Sequence, residues 1–218
     1  MSQGKGGRVG VVDYGIINLR NIIRGFEHVG AQVYSSRYAD ELFSADRLVL
    51  PGVGAFGRGM DELRRLGLDK VVREFAAAGK PVLGICLGMQ LLFDISHEYG
   101  EHQGLGILPG KVVPIPRKRE DGGKRKIPHI GWNTLVPNGG DEAWIGTCFH
   151  GIGSSPSCYF VHSFMVRLTN SCDVLAYADY DGVSIVAAVQ SGNITGMQFH
   201  PERSGPTGIA ILRSFLLQ

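Results

Sequence analysis

With 218 residues, 44% hydrophobic and 19% charged residues and a formal net charge of +2, the chain has globular composition and too little charge to mark a nucleic-acid or membrane surface. No apolar run approaches the roughly 18 residues a membrane helix needs, and the opening "MSQGKGGRVGVVD" lacks the apolar core of a signal peptide, so a soluble cytoplasmic protein is expected. Cys86, Cys148, Cys158 and Cys172 lie far apart, without the C-x-x-C pairs of a zinc or dithiol site, and reduced thiols are the simplest reading.

After a glycine-rich tail over 1–7, expected to be flexible, "RVGVVD" (8–13) reads as a buried strand. The helical spacing of Leu19, Ile22, Ile23, Phe26 and Val29 predicts a helix that Asn18 can cap and Gly30 can end. "QVYSS" and "RLVLP" are the next strands, "DKVVREFAAAGK" a further helix, and "PVLGI" a fourth strand that runs into an apolar helix "MQLLFDI". Strands alternating with helices imply parallel pairing and a sheet covered on both faces. From about residue 110 short strands follow ("KVVPIPRK", "NTLVP", "CYFVHSFMV", "VLAYADYDG", "SIVAAVQSG", "ITGMQFH"), with turn residues between them that suggest antiparallel hairpins, and "GIAILRSFLL" reads as a closing helix. The expected fold is therefore α/β: an open, mostly parallel central sheet with flanking helices and C-terminal hairpins, in one domain over 8–218.

Gly84-Ile85-Cys86-Leu87-Gly88 places a thiol between two glycines where a strand meets a helix. The pattern is that of a nucleophile elbow with sulfur in place of oxygen, in which flanking side chains would collide with the sharp turn. A helix N-terminus also lowers a thiol pKa, which favours the reactive thiolate. Of the seven histidines, His200 ends a strand and is followed by Pro201 and Glu202, so it can take the thiol proton while Glu202 holds its tautomer. "LPGVGAFG" contains a literal G-x-G-x-x-G from Gly52 to Gly57. A dinucleotide site is a rival reading, weakened by Pro51, by the position after the third strand and by alanine at 77. The better use of the segment is to aim backbone N–H groups at an oxyanion forming beside Cys86.

Together "PGVGAFG", "GICLGMQ" and "MQFHPE" resemble the class I (triad) glutamine amidotransferases, and "VVDYG", "IPHIGWN", "YFVHSF" and "GMQFHPERSG" resemble, more narrowly, the glutaminase subunits of imidazole glycerol phosphate synthase, from about Arg8 to the C-terminus. The resemblance implies Cys86 as nucleophile, His200 as acid and base, Glu202 as its orienter, and an oxyanion hole from the N–H of Leu87 and, after a peptide reorientation, of Val53. It implies glutamine contacts from Gly52, Gly54, Gln90, His162 and Ser163, although alone Gln90 reads as a helix-surface residue and His162 as a core histidine. It further implies a (β/α)₈-barrel cyclase partner in a heterodimer of histidine biosynthesis, docked near Asn18, Trp132, Asn133 and Arg203, with no cofactor or metal. Ile16 and Ile17, where the family usually shows a glycine before the asparagine, and Arg203, where lysine is common, depart from the pattern at that docking face. Ammonia delivery to a sugar-modifying synthetase and an inactive docking module are the alternatives. The basic run "RKREDGGKRK" (117–126) is read as a charged hairpin turning at Gly122 and Gly123, because no aromatic residues interleave for base stacking. His97 and His102 are five apart, wrong for a zinc helix.

Overall fold

The computed structural model describes residues 6–15, 19–153 and 155–218; Ile16, Ile17, Asn18 and the first five residues lie outside the described residues. Strand and helix alternate at first: β1 (Gly6–Val12), α1 (Leu19–His28), β2 (Ala31–Ser36), α2 (Ala39–Phe43), β3 (Arg47–Leu50), α3 (Phe56–Arg65), α4 (Leu68–Ala77) and β4 (Val82–Ile85). A short α5 (Leu87–Leu91) leads into β5 (Phe93–Ser96), β6 (His102–Gln103), β7 (Leu108–Pro114), β8 (His129–Thr134) and β9 (Val136–Pro137). Then come β10 (Ser157–His162), β11 (Phe164–Leu168), β12 (Val174–Tyr180), β13 (Val183–Ser191) and β14 (Ile194–Met197), before α6 (Gly205–Phe215).

Eight strands form the central sheet in the order β2-β1-β3-β4-β14-β13-β12-β9. The first five are parallel and the last three join antiparallel. Alternate side chains serve opposite faces, as the two-residue period of a strand requires. Leu48, Leu50 and Val82 pack with Met60, Leu63, Val72 and Phe75 of α3 and α4. Val9, Val11, Val49, Leu83 and Ile85 pack with Phe26 of α1 and Leu212 and Phe215 of α6. Both faces are covered, which explains the apolar runs without polar alternation. Two smaller sheets, β10-β8 and β11-β7-β5-β6, complete the fold.

Several expectations need correcting. β1 begins at Gly6, inside the segment read as a tail. The helix expected over "MQLLFDI" stops at Leu91, and Phe93–Ser96 is a strand. There the carbonyls of Leu91, Leu92 and Phe93 accept the N–H groups of Leu105, Ile107 and Gly106, so the chain trades helical bonds for bonds to a neighbouring loop. A short, mostly apolar run carries no period that separates the two outcomes. "CYFVHSFMV" is not one strand either: β10 and β11 belong to different sheets, and the break falls at Ser163. α6 starts at Gly205, three residues before the expected helix, with Pro206 in the first turn, where its missing N–H costs nothing. Segment 117–126 is a hairpin, bridged at Lys118 and Lys124, whose buried Arg125 donates to the carbonyls of Lys118, Tyr180 and Asp181.

The glycine fence has a steric cause. A Cβ on Gly84 would lie 2.8 Å from Met89 Cα, and one on Gly88 would overlap the carbonyl oxygen of Leu50 at the end of β3. Both contacts are with backbone, which cannot step aside. Gly88→Ala is therefore expected to destabilise the fold by about 1–3 kcal/mol or more in urea denaturation. Gly153→Ala, at a position with open space around it, should leave the midpoint nearly unchanged.

Candidate active site

Strand pairing builds the site. β4 and β14 are parallel neighbours with Ile85 opposite Met197, so the residues that follow each strand emerge side by side at its carboxyl end. The Cys86 N–H donates to the Met197 carbonyl at 2.7 Å and locks the elbow to the neighbouring strand. Cys86 itself has φ 54° and ψ −110°, a conformation that is strained for any residue with a Cβ. The thiol is 6% exposed, with Gln198 Nε2 at 3.7 Å and the Val161 carbonyl at 3.8 Å from the sulfur.

His200 and Glu202 sit in the turn after β14, both nearly buried, with Nδ1 and Oε1 2.8 Å apart. Burial opposes a charge on the imidazole, but Cys86 and the Glu202 carboxylate outweigh it and raise His200 from 6.5 to about 10. Nε2 of His200 has no hydrogen-bond partner among the described residues, so the influence of Cys86 acts across a longer gap than a hydrogen bond. The imidazole is thus held from one side and buried without a partner on the other.

A cavity of about 310 Å³ adjoins the sulfur. It is lined by Val53, Gly54, Cys86, Leu87, Gln90 and Glu98, with Tyr99, Pro128 and Val161 to Phe164. The expected residues therefore converge, and His162 is both a core histidine and part of the cavity wall. Gln90 is not a helix-surface residue: it is buried, and its Nε2 donates to the Phe164 carbonyl at 3.1 Å and to Gln198 Oε1 at 2.9 Å. Gly52 is the exception among the expected glutamine contacts, since it packs against Leu87 and Gly88 rather than lining the cavity, and His200 and Glu202 lie outside the lining as well.

The segment after β3 closes over the elbow. Leu87 N–H, an expected oxyanion donor, donates instead to the Gly52 carbonyl at 3.3 Å. The buried Tyr14 hydroxyl donates to the preceding carbonyl, of Pro51, at 2.7 Å. Gly52–Gly57 does lead into a helix, α3, as a dinucleotide motif would, but Gly52 is needed because a Cβ would lie 2.8 Å from Leu87 Cβ. Its smallness serves the cysteine turn.

Sequence reading passed over Glu98, which stands between the two histidines that were weighed only as zinc ligands. Its carboxylate accepts the Phe56 N–H at 2.5 Å, and burial raises its pKa. Gln198, two residues before His200, and Tyr14 were passed over too, since nothing in a single sequence separates them from core polar residues. At the expected docking face, Trp132 is 58% exposed and meets the Tyr159 ring edge-on at 6.2 Å, with the Arg203 guanidinium 4.4 Å above that ring. Asn133, next to Trp132, donates to the Asp179 carbonyl at 2.6 Å. Among the described residues no helix is long and apolar enough to cross a membrane.

The family model for glutamine amidotransferase class-I matches residues 10–218. The chain is 47% identical over 208 residues to imidazole glycerol phosphate synthase subunit HisH 1 of Legionella pneumophila (strain Lens), covering 95% of this chain and 98% of the relative. It is 44% identical to the HisH subunit of Syntrophotalea carbinolica over 94% and 97% of the two chains. Among solved structures it is similar to PurLQS from Thermotoga maritima, at a TM-score of 0.71 and 22% identity over 96% and 97% of the chains. It is also similar to the glutaminase domain of Trypanosoma brucei CTPS with bound acivicin, at a TM-score of 0.61 and 16% identity over 97% and 94%. With its cysteine elbow, its His–Glu pair and these relatives taken together, the chain belongs to the class-I glutamine amidotransferases and, within them, to the HisH subunits of imidazole glycerol phosphate synthase.

Proposed function

We propose that the chain, acting as one unit over 8–218, hydrolyses glutamine to glutamate and ammonia with Cys86, His200 and Glu202. The observation that carries this is a thiol on a strained strand-to-helix turn, beside a buried His–Glu pair and open to a cavity of about 310 Å³. The Cys86 thiolate attacks the side-chain carbonyl carbon of glutamine, and the imidazolium of His200 protonates the leaving nitrogen as the C–N bond breaks. Ammonia departs and a thioester remains. His200, now neutral, takes a proton from water as the hydroxyl adds to the thioester; glutamate leaves, and the proton and thiolate pair is restored. Glu202 keeps Nε2 directed at the reacting atoms by accepting from Nδ1.

Substrate recognition follows from the cavity wall. Both amide hydrogens of Gln90 are spent on Phe164 and Gln198, so what it offers a ligand is its oxygen. The raised pKa of Glu98 reflects burial without a full counter-charge, a want that the α-ammonium of glutamine meets. Backbone at Gly54, His162 and Ser163 completes the enclosure. Leu87 N–H becomes an oxyanion donor only when the Gly52–Val53 peptide turns and brings Val53 N–H beside it, because the Gly52 carbonyl occupies it here.

The destination of the ammonia is a (β/α)₈-barrel cyclase subunit, in a cytoplasmic heterodimer that makes imidazole glycerol phosphate and an aminoimidazole carboxamide ribonucleotide for histidine biosynthesis. The exposed Trp132, with Tyr159, Arg203 and Asn133 around it, is the surface that would meet it. Relatives at 41–47% identity favour this partner over a sugar-modifying synthetase.

Glutamate release should rise when the cyclase and its nucleotide ligand are added, and Cys86→Ala should lower it by about a thousandfold or more. Hydrolysis that survives in the alanine variant would overturn the assignment. Glu98→Gln should raise KM for glutamine by about tenfold while kcat changes much less, the pattern of a lost binding contact. The raised pKa of His200 also has a pH signature: the stabilisation from its pairing is complete below 6.5 and is lost as pH climbs through about 10. The gap in urea midpoint between the parent chain and Glu202→Gln should therefore narrow from pH 6 to pH 10.5.

A further inference from the structure

Outside the triad, the buried side chains form a second directed network. The ring of His162 is 2.8 Å from the Phe164 carbonyl through Nδ1 and 2.9 Å from His129 Nδ1 through Nε2. His129 Nε2 in turn lies 3.4 Å from Asn133 Nδ2. Each bond has one possible direction. A carbonyl only accepts, so His162 Nδ1 carries the proton; in a neutral ring Nε2 is then bare and must receive one from His129 Nδ1. His129 Nε2 is bare by the same logic and receives from the Asn133 amide. That amide is oriented independently, since the Thr134 N–H donates to Asn133 Oδ1 at 2.8 Å and the Asp179 carbonyl accepts from Nδ2. Burial keeps both rings neutral, with His129 lowered to about 4 and His162 to about 3.

The network ends on the cavity. The Phe164 carbonyl that accepts from His162 also accepts from Gln90, which donates to Gln198, whose amide lies against the Cys86 sulfur. His129 is clamped for its part, stacked between Phe160 at 4.8 Å and Tyr180 at 4.0 Å. Its ring does not itself line the cavity and meets the lining through His162.

We propose that His129 is a positioning residue for glutamine: by donating to Nε2 of His162 it holds that ring, whose tautomer the Phe164 carbonyl sets, and, through that carbonyl, the wall that receives the substrate. The role rests on the glutaminase reading above; the tautomer does not. Its outer end is Asn133, on the strand that also presents the exposed Trp132, so the wall is tied to the surface at which a partner would dock.

The test is made on the full chain, with long-range ¹⁵N–¹H spectra of the imidazoles and with glutamine hydrolysis in the presence of the cyclase subunit. His162 should show a protonated Nδ1 and a bare Nε2. His129→Phe keeps the aromatic stack but cannot donate, so it should leave Nε2 of His162 without a donor, shift that nitrogen's resonance and raise KM about tenfold, as expected when a buried acceptor loses its donor. kcat should stay within about threefold. His129→Asn, whose Nδ2 falls near the former Nδ1, should restore the Nε2 resonance of His162 and a KM within about threefold of the parent chain. A protonated Nε2 on His162 in the parent chain overturns the inference whether or not any variant folds. So does an unchanged KM in His129→Phe, or an equal defect in the phenylalanine and asparagine variants, which would mark a packing role. Absence of hydrolysis by the parent chain with its partner would instead strike the glutaminase reading, and the kinetic role with it.

Discussion

The parallel pairing of β4 with β14 is the constraint on which the site depends. These two strands lie far apart in sequence, yet the residues after them supply the two halves of the proposed Cys86–His200–Glu202 triad. Their register sets Cys86 beside the turn that carries His200 and Glu202, and the bond from Cys86 N–H to Met197 holds that register at the point of reaction. Both strands are buried and flanked by further strands, so a slip of one residue would turn apolar side chains into the wrong layer as well as separate the pair. Core packing and catalytic geometry are specified by the same contacts.

The elbow concentrates strain where rigidity is greatest. A positive φ at a residue with a Cβ is tolerated because β3, β4 and β14 surround the turn and leave no room for relaxation. The gain is exposure of the sulfur to a cavity from an otherwise buried strand end. Around it the hydrogen-bond donors are nearly all committed: Gln90 to two oxygens, Gln198 to sulfur, His162 to a carbonyl, Leu87 to Gly52. Beside them Nε2 of His200 and one oxygen of Glu202 remain uncommitted; the other buried side-chain atom without a partner among the described residues is Oε1 of Gln190, on β13.

Local chemistry was legible in the sequence to the degree that it is local. Gly84, Cys86 and Gly88 announce a turn because sterics demand those residue types at that spacing, and His-Pro-Glu announces a strand end because proline forbids continued pairing. The alternation of β and α segments up to Ile85 announces the parallel half of the sheet. Beyond Leu91 this legibility fails, because buried runs such as "LLFDIS" lack any period and take their conformation from the loop at 104–108. Glu98, Gln198 and His129 were hidden for a related reason. Each acts through a partner brought up by the fold, and a buried polar residue looks the same in one sequence whether its partner is structural or catalytic.

The carbonyl of Gly52 has a meaning beyond geometry. It occupies the Leu87 N–H that a negatively charged tetrahedral oxygen would need, and it is tethered by its own backbone, with Tyr14 holding the adjacent carbonyl. The segment is in effect an intramolecular competitor, present at an effective concentration set by its own tether. Ground-state glutamine, which asks nothing of that N–H, is free to settle in the cavity, whereas a mimic of the tetrahedral state has to evict the carbonyl first. Under the proposed mechanism the protein would therefore hold glutamine beside Cys86 without producing ammonia, a volatile base with no use in the absence of an acceptor.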